Sequence, residues 1–113
     1  MAAYTEITIE QGATFSTTVN VEDAYYNPVD LTGYSASSQM RKSYYSGTAY
    51  NITASITGTS NGEITMSMTS ANTASLTPGR YVYDLIIDDN VSGSNTITRV
   101  VEGIATVLPS VTR

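Results

Sequence analysis

The stretch Leu76-Thr77-Pro78-Gly79-Arg80-Tyr81-Val82-Tyr83-Asp84-Leu85 decides how this chain is read. Pro78 pre-sets φ for a turn, and Gly79 supplies the positive-φ position that follows. Beyond the turn, Tyr81, Tyr83, Leu85 and Ile87 alternate with Val82, Asp84, Ile86 and Asp88. A period of two marks a β-strand with one buried face. Leu76, Pro78, Gly79 and Tyr81 also stand at the offsets of a corner in which the tyrosine hydroxyl turns back onto the backbone just upstream, here near Thr77. The plainer reading is an ordinary hairpin turn before a tyrosine-rich strand.

The same period recurs on both sides of this stretch. Ile7 and Ile9 share a face of a first strand that Gly12 breaks, and Phe15, Thr17, Val19 and Val21 share a face of a second. Asn27-Pro28 marks a turn within the loop Glu22 to Asp30. Tyr34, Ala36, Ser38 and Met40 define a third strand, in which Ser38 puts a hydroxyl on a core face that needs a partner. Tyr50, Ile52, Ala54 and Ile56 define a fourth; Asn61-Gly62 then turns the chain into a fifth carrying Ile64, Met66 and Met68. Between Thr69 and Leu76 a single helical turn is expected, capped by Thr69 or Ser70, with Ala71 and Ala74 inward. The strand beyond Gly79 is the sixth, and Thr96 to Leu108 is the seventh, stopped by Pro109.

About seven short strands, turn signals between them and one helical turn predict an all-β fold. The expected architecture is an antiparallel β-sandwich of the immunoglobulin-like or fibronectin type III-like kind, with a small barrel as the second choice. The 113 residues suffice for one domain, 1–113, with its own core.

Composition narrows the function. Without His or Cys there is no Ser-His-Asp or Cys-His catalytic group, no thiol chemistry and no zinc site built from those ligands. The formal charge of −5 argues against nucleic acid, which is bound by basic patches. No apolar run is long enough to span a bilayer, and the start of the chain lacks the pattern of a signal peptide. The acidic residues read as solvated charge, so neither an enzyme nor a cofactor is expected. Asp88-x-Asn90-x-Ser92-Gly93 matches the first half of a calcium loop, but its twelfth position is Arg99 where calcium needs a bidentate Glu; a polar hairpin loop is the better reading.

Larger motifs carry a resemblance. Asp30-Leu-Thr-Gly-Tyr-Ser-Ala36, Arg41-Lys-Ser43, Thr69 to Leu76, Pro78-Gly-Arg-Tyr-Val-Tyr-Asp-Leu85 and Glu102 to Pro109 together span most of the chain. In this it resembles the small immunoglobulin-like modules of phage virion and tail proteins, and more loosely the N-terminal domain of phage baseplate upper proteins. The resemblance implies a structural virion component that docks onto other particle proteins in tail, neck or capsid, with copies of itself as a further partner. The chain ends at Arg113, directly after the module, which implies an accessory adaptor or decoration subunit and not the anchor of a fibre.

Three groups of residues are candidates for that contact. In the last strand Val101, Gly103, Ala105 and Val107 are the expected core face, leaving Val100, Ile104 and Leu108 on the other; a bulge at Gly103 is the alternative that swaps the faces. Alternating strand direction sends Arg41, Lys42 and Arg80 to one end, with Arg113, and Glu22, Asp23, Asp30, Glu63, Asp88 and Asp89 toward the other. Tyr25, Tyr26, Tyr44 and Tyr45 lie in loops, where their rings suit a protein interface or, in the rival reading as an adhesion module, a glycan.

Overall fold

The computed structural model describes residues 3–23 and 25–111. Eight strands and one helical turn follow in the order β1 (Ala3–Tyr4), β2 (Ile7–Glu10), β3 (Phe15–Asn20), β4 (Ser35–Arg41), β5 (Tyr50–Gly58), β6 (Glu63–Met68), α1 (Ser70–Ala74), β7 (Gly79–Asp88) and β8 (Ile97–Leu108). Hydrogen bonding runs along one curled path, β1-β8-β7-β4-β5-β6-β3, with β2 also on β8. The curl is made at β5. Its first residues, Tyr50 to Ile52, pair with β4, and from Thr53 onward it pairs with β6.

Period-two patterning accounts for the core. Tyr81, Tyr83, Leu85 and Ile87 on β7, Val101, Ala105 and Val107 on β8, and Ile64, Met66 and Met68 on β6 are all buried. They join Ile7, Ile9, Phe15, Met40 and Leu76 in one cluster, so the inward faces of β3 and β6 meet those of β2, β4, β7 and β8. Ser38 is satisfied within that core: its hydroxyl donates to the Asp84 carbonyl at 2.5 Å.

Three sequence expectations need correction. The sheet is not wholly antiparallel, because the first strand is split in two and both pieces run parallel to β8, Ala3 beside Val101 and Ile7 beside Ala105. The helical turn is capped by Thr69, but Ala71 and Ala74 are exposed and Thr73 is the buried residue. A hydroxyl wins over two methyls there because Thr73 Oγ1 donates to the Ala13 carbonyl at 2.8 Å and accepts from the Gly12 amide at 3.1 Å. The irregularity in β8 lies at Val100, opposite the Leu85–Ile86 step, and not at Gly103. That bulge turns Val100 back against the core.

Gly103 has a different task. A Cβ there would stand 1.9 Å from the Thr5 carbonyl oxygen. The link between β1 and β2 dips across β8 at this point: the Thr5 amide donates to the Glu102 carbonyl at 2.9 Å, and the Tyr83 hydroxyl donates to the Thr5 carbonyl at 2.7 Å. Glycine is required by this close approach of two backbones. Gly103→Ala is expected to cost about 1–3 kcal/mol, the range for overpacking a filled site. An unchanged urea midpoint would show that the crossing is not tight.

Burial, and next the nearby Tyr4, push the Tyr83 hydroxyl up to about 12. An unfolded tyrosine titrates near ~10. Below that pH both states keep the proton and the stability is intact. Between there and the folded value of about 12 the unfolded chain releases a proton that the fold retains, so stability falls as pH rises through this window. Urea titrations at rising alkaline pH should show the fall, and Tyr83→Phe should make it shallower.

Candidate interaction face

The outward face of the β4–β7–β8 sheet follows from the same alternation that builds the core. With Tyr81, Tyr83 and Leu85 inward, Val82, Asp84 and Ile86 point out. The β7–β8 register sets Val82 beside Ile104, Asp84 beside Glu102 and Arg80 beside Thr106. Across the other side of β7, Arg41 lies beside Val82 and Gln39 beside Asp84. The centre of the face is therefore an apolar cross-strand pair, Val82 with Ile104, flanked along the strands by charge. Leu108 is exposed near one end of the face, beyond Thr106.

Asp84 and Glu102 place two carboxylates directly opposite each other, an arrangement that repels. Arg99 offsets it, with Nε 3.2 Å from the Asp84 carboxylate and Nη1 3.7 Å from that of Glu102. All three side chains are partly exposed, so the cluster adds little stability, about 0–1 kcal/mol per pair. Beside it a shallow cleft of about 330 Å3 is lined by Tyr44, Val82, Ile86, Arg99 and Glu102. Arg41 ties the Tyr44 loop to this face by donating from Nη1 to the Ser46 carbonyl at 2.6 Å.

The Leu76–Tyr81 corner lies at the end of the sheet where β7 begins. The Tyr81 hydroxyl donates to the Thr77 carbonyl at 2.7 Å, and Gly79 takes φ +143° between them. Burial, then Tyr50, raises the Tyr81 pKa, and the bond to Thr77 opposes the rise. The Tyr50 and Tyr81 rings meet edge to face at 5.8 Å, and Lys42 Nζ lies 4.7 Å from the Tyr81 ring centre. Pro78 is exposed in the turn itself.

The remaining candidates fall at the two ends of a molecule 44 Å long. Glu22, Asp23, Asp30, Glu63, Asp88 and Asp89 lie at the end where β3 and β7 finish, and Arg41, Lys42 and Arg80 lie toward the opposite end. Arg113 is outside the described residues. Tyr25 and Tyr26, each 82% exposed, belong to the acidic end, whereas Tyr44 and Tyr45 follow β4 at the basic end. The four loop tyrosines therefore do not form one aromatic platform. Val100 leaves the candidate set because it packs against the core. In the Asp88–Asn95 loop the carboxylates are occupied locally: Asp88 accepts from the Asn90 amide at 2.8 Å, and Asp89 from the Thr96 amide at 2.9 Å.

The sequence reading passed over Val82 and Ile86, although the alternation that buries Tyr81 and Tyr83 already turns them outward. It also gave Thr5 no role, since nothing local marks a residue whose partners lie on β7 and β8.

No family model matches the chain. No curated protein matches it either. Among solved structures it is similar to AggA, the major subunit of aggregative adherence fimbriae type I from Escherichia coli, at 12% identity over 91% of this chain and 89% of that one, with a TM-score of 0.33. A likeness of that size assigns neither fold nor function.

Tyr81→Phe removes the part-buried bond to the Thr77 carbonyl and should cost about 0.5–1.5 kcal/mol. A denaturation midpoint equal to that of the parent chain would mean that the corner bond contributes nothing.

Proposed function

We propose that this chain is a non-enzymatic structural subunit of a bacteriophage particle, an adaptor or decoration protein that docks onto other virion proteins through the outward face of β4, β7 and β8. We read its curled sheet as an immunoglobulin-like, fibronectin type III-like sandwich folded at β5. The single core cluster shared by both halves supports that reading, as does the bond from Tyr81 to Thr77. The virion assignment rests on the phage-module motifs from Asp30 to Pro109.

One observation carries the docking role: Val82 and Ile104 form an apolar pair at the centre of a sheet face whose rim is Arg41, Asp84, Arg99 and Glu102. An apolar centre inside a polar rim is the anatomy of a protein interface. The separation of acidic and basic ends would fix orientation on the neighbour more than it adds affinity. The exposed tyrosines favour a second reading, a glycan-binding adhesion module. Their division between opposite ends weighs against it, because a sugar platform needs its rings together.

Ile104→Lys should reduce the copies of the subunit per purified particle while leaving the unfolding free energy within about 0.5 kcal/mol of the parent. Full incorporation of the variant would remove this face from the proposal, and unfolding would place Ile104 in the core. A glycan array carrying hits, together with no binding to particles, would favour the adhesion reading.

A further inference from the structure

We propose that Asn61 is a site of spontaneous modification, at which the amide nitrogen of Gly62 attacks the Asn61 side chain and converts it to aspartate and isoaspartate. This does not rest on the docking role above and concerns a different part of the molecule, the turn between β5 and β6.

Asparagine is labile where the amide nitrogen of the next residue can reach its side-chain Cγ. The chain has seven asparagines, and six of them are restrained against this. After Asn27 comes Pro28, which has no N–H. After Asn20, the Val21 amide donates to the Gly62 carbonyl at 2.8 Å. After Asn72, the Thr73 amide donates to the Thr69 carbonyl at 3.0 Å. The Val91 and Thr96 amides, after Asn90 and Asn95, both donate to the Asp89 carboxylate, at 3.1 and 2.9 Å. Asn51 sits in the β4–β5 ladder, where its side-chain oxygen accepts from Gln39 at 3.0 Å and the next residue is the buried, β-branched Ile52.

Asn61 has none of these restraints. It is exposed in the turn from Thr59 to Gly62, outside every ladder. Among the described residues, neither its side-chain amide nor the Gly62 amide takes part in a hydrogen bond. Gly62 also lacks the Cβ that would shield its nitrogen.

The chemistry needs only water and base. The Gly62 amide gives its proton to hydroxide, and its nitrogen bonds to Asn61 Cγ. The Cγ–Nδ2 bond breaks, and Nδ2 takes a proton from solvent and leaves as ammonia, closing a cyclic imide. Water then opens the ring at one of its two carbonyls, its OH going to carbon and its H to nitrogen. Opening at Cγ gives aspartate with the chain path unchanged. Opening at the main-chain carbonyl gives isoaspartate, with one more carbon in the chain path. Nothing is oxidised or reduced.

The two products act differently on the fold. The turn is anchored on both sides of Asn61: the Leu31 amide donates to the Thr59 carbonyl and the Val21 amide to the Gly62 carbonyl, each at 2.8 Å. Gly62 is seated tightly, since a Cβ there would stand 2.5 Å from the Val21 carbonyl oxygen. The added carbon of isoaspartate changes the spacing of the two anchors with no slack at Gly62 to absorb it. The segment from Val21 to Leu31, which carries Tyr25 and Tyr26, then loses an anchor. Aspartate keeps the spacing and adds a carboxylate near Glu63 at the acidic end.

The purified full chain, held at mildly alkaline pH, should be digested and read by tandem mass spectrometry, with the isomeric products separated by chromatography. Asn61 should convert at least tenfold faster than any other asparagine, with isoaspartate among the products. Asn61→Ser should abolish the rapid release of ammonia with unchanged circular dichroism. In the isoaspartate fraction, hydrogen exchange at the Val21 and Leu31 amides should speed up at least tenfold, whereas Asn61→Asp should leave it within twofold of the parent. Conversion of Asn61 no faster than that of the other asparagines overturns the proposal. So does rapid ammonia release that survives Asn61→Ser. Exchange that is equal in the two products overturns the effect on the fold.

Discussion

The hydrogen bond from the Tyr83 hydroxyl to the Thr5 carbonyl is the constraint on which the arrangement of strands depends. It holds the link between β1 and β2 across Gly103, where no side chain is tolerated, and so fixes both pieces of the first strand alongside β8. Three residues far apart in sequence must agree: a tyrosine facing inward on β7, a glycine opposite it on β8, and a backbone carbonyl on neither strand. The sheet thereby gains two parallel pairings at one edge, and β3 loses the partner it would otherwise have had. The closed edge and the open one have a single cause.

At the other end a second set of polar contacts ties together segments that the sheet alone would leave loose. Thr73 on α1 holds the turn after β2 through the Gly12 amide and the Ala13 carbonyl. Gln11 in that turn donates to the Leu76 carbonyl at 2.9 Å and accepts from the Ser110 amide at 3.3 Å. The turn, the helix and the segment beyond β8 thus share bonds around Gln11. Among the described residues no buried side-chain polar atom lacks a partner, which fits an interior in which Ser38, Thr73, Tyr81 and Tyr83 are all placed to bond backbone carbonyls.

Much of this was legible in the sequence, because strand alternation is a local signal. The buried faces of β6, β7 and β8 follow from counting by two, and the Tyr81 corner follows from the spacing of Leu76, Pro78, Gly79 and Tyr81. What escaped were matters of partnership. Nothing in Ile7-Thr-Ile-Glu10 says that its neighbour is β8 and not β3, and alternation is the same for parallel and antiparallel pairing. The bulge at Val100 was invisible for a related reason: a bulge belongs to two strands, and glycine, the local cue, stands three residues away for another purpose. Thr73 carries no apolar mark of burial, yet a hydroxyl with two backbone partners is as well accommodated as a methyl. For the interaction face, Ile104 and Leu108 were readable from alternation, but the cross-strand neighbour Val82 and the place of Arg99 between two carboxylates required the register.

The parallel course of β2 and β8 has a mechanical consequence. The chain enters β1 beside Val101 and leaves β8 beyond Leu108, at the opposite end of the sheet. Tension applied to the two ends of the chain pulls β2 and β8 past each other along their own axes. The bonds of the four pairs from Ile7–Ala105 to Glu10–Leu108 are then loaded together in shear, with no single bond exposed to be opened first. The same number of bonds in a terminal hairpin would be peeled apart one at a time. A domain held in this way resists stretching far better than its few terminal hydrogen bonds would indicate, and the glycine that admits Thr5 is part of what makes the clamp.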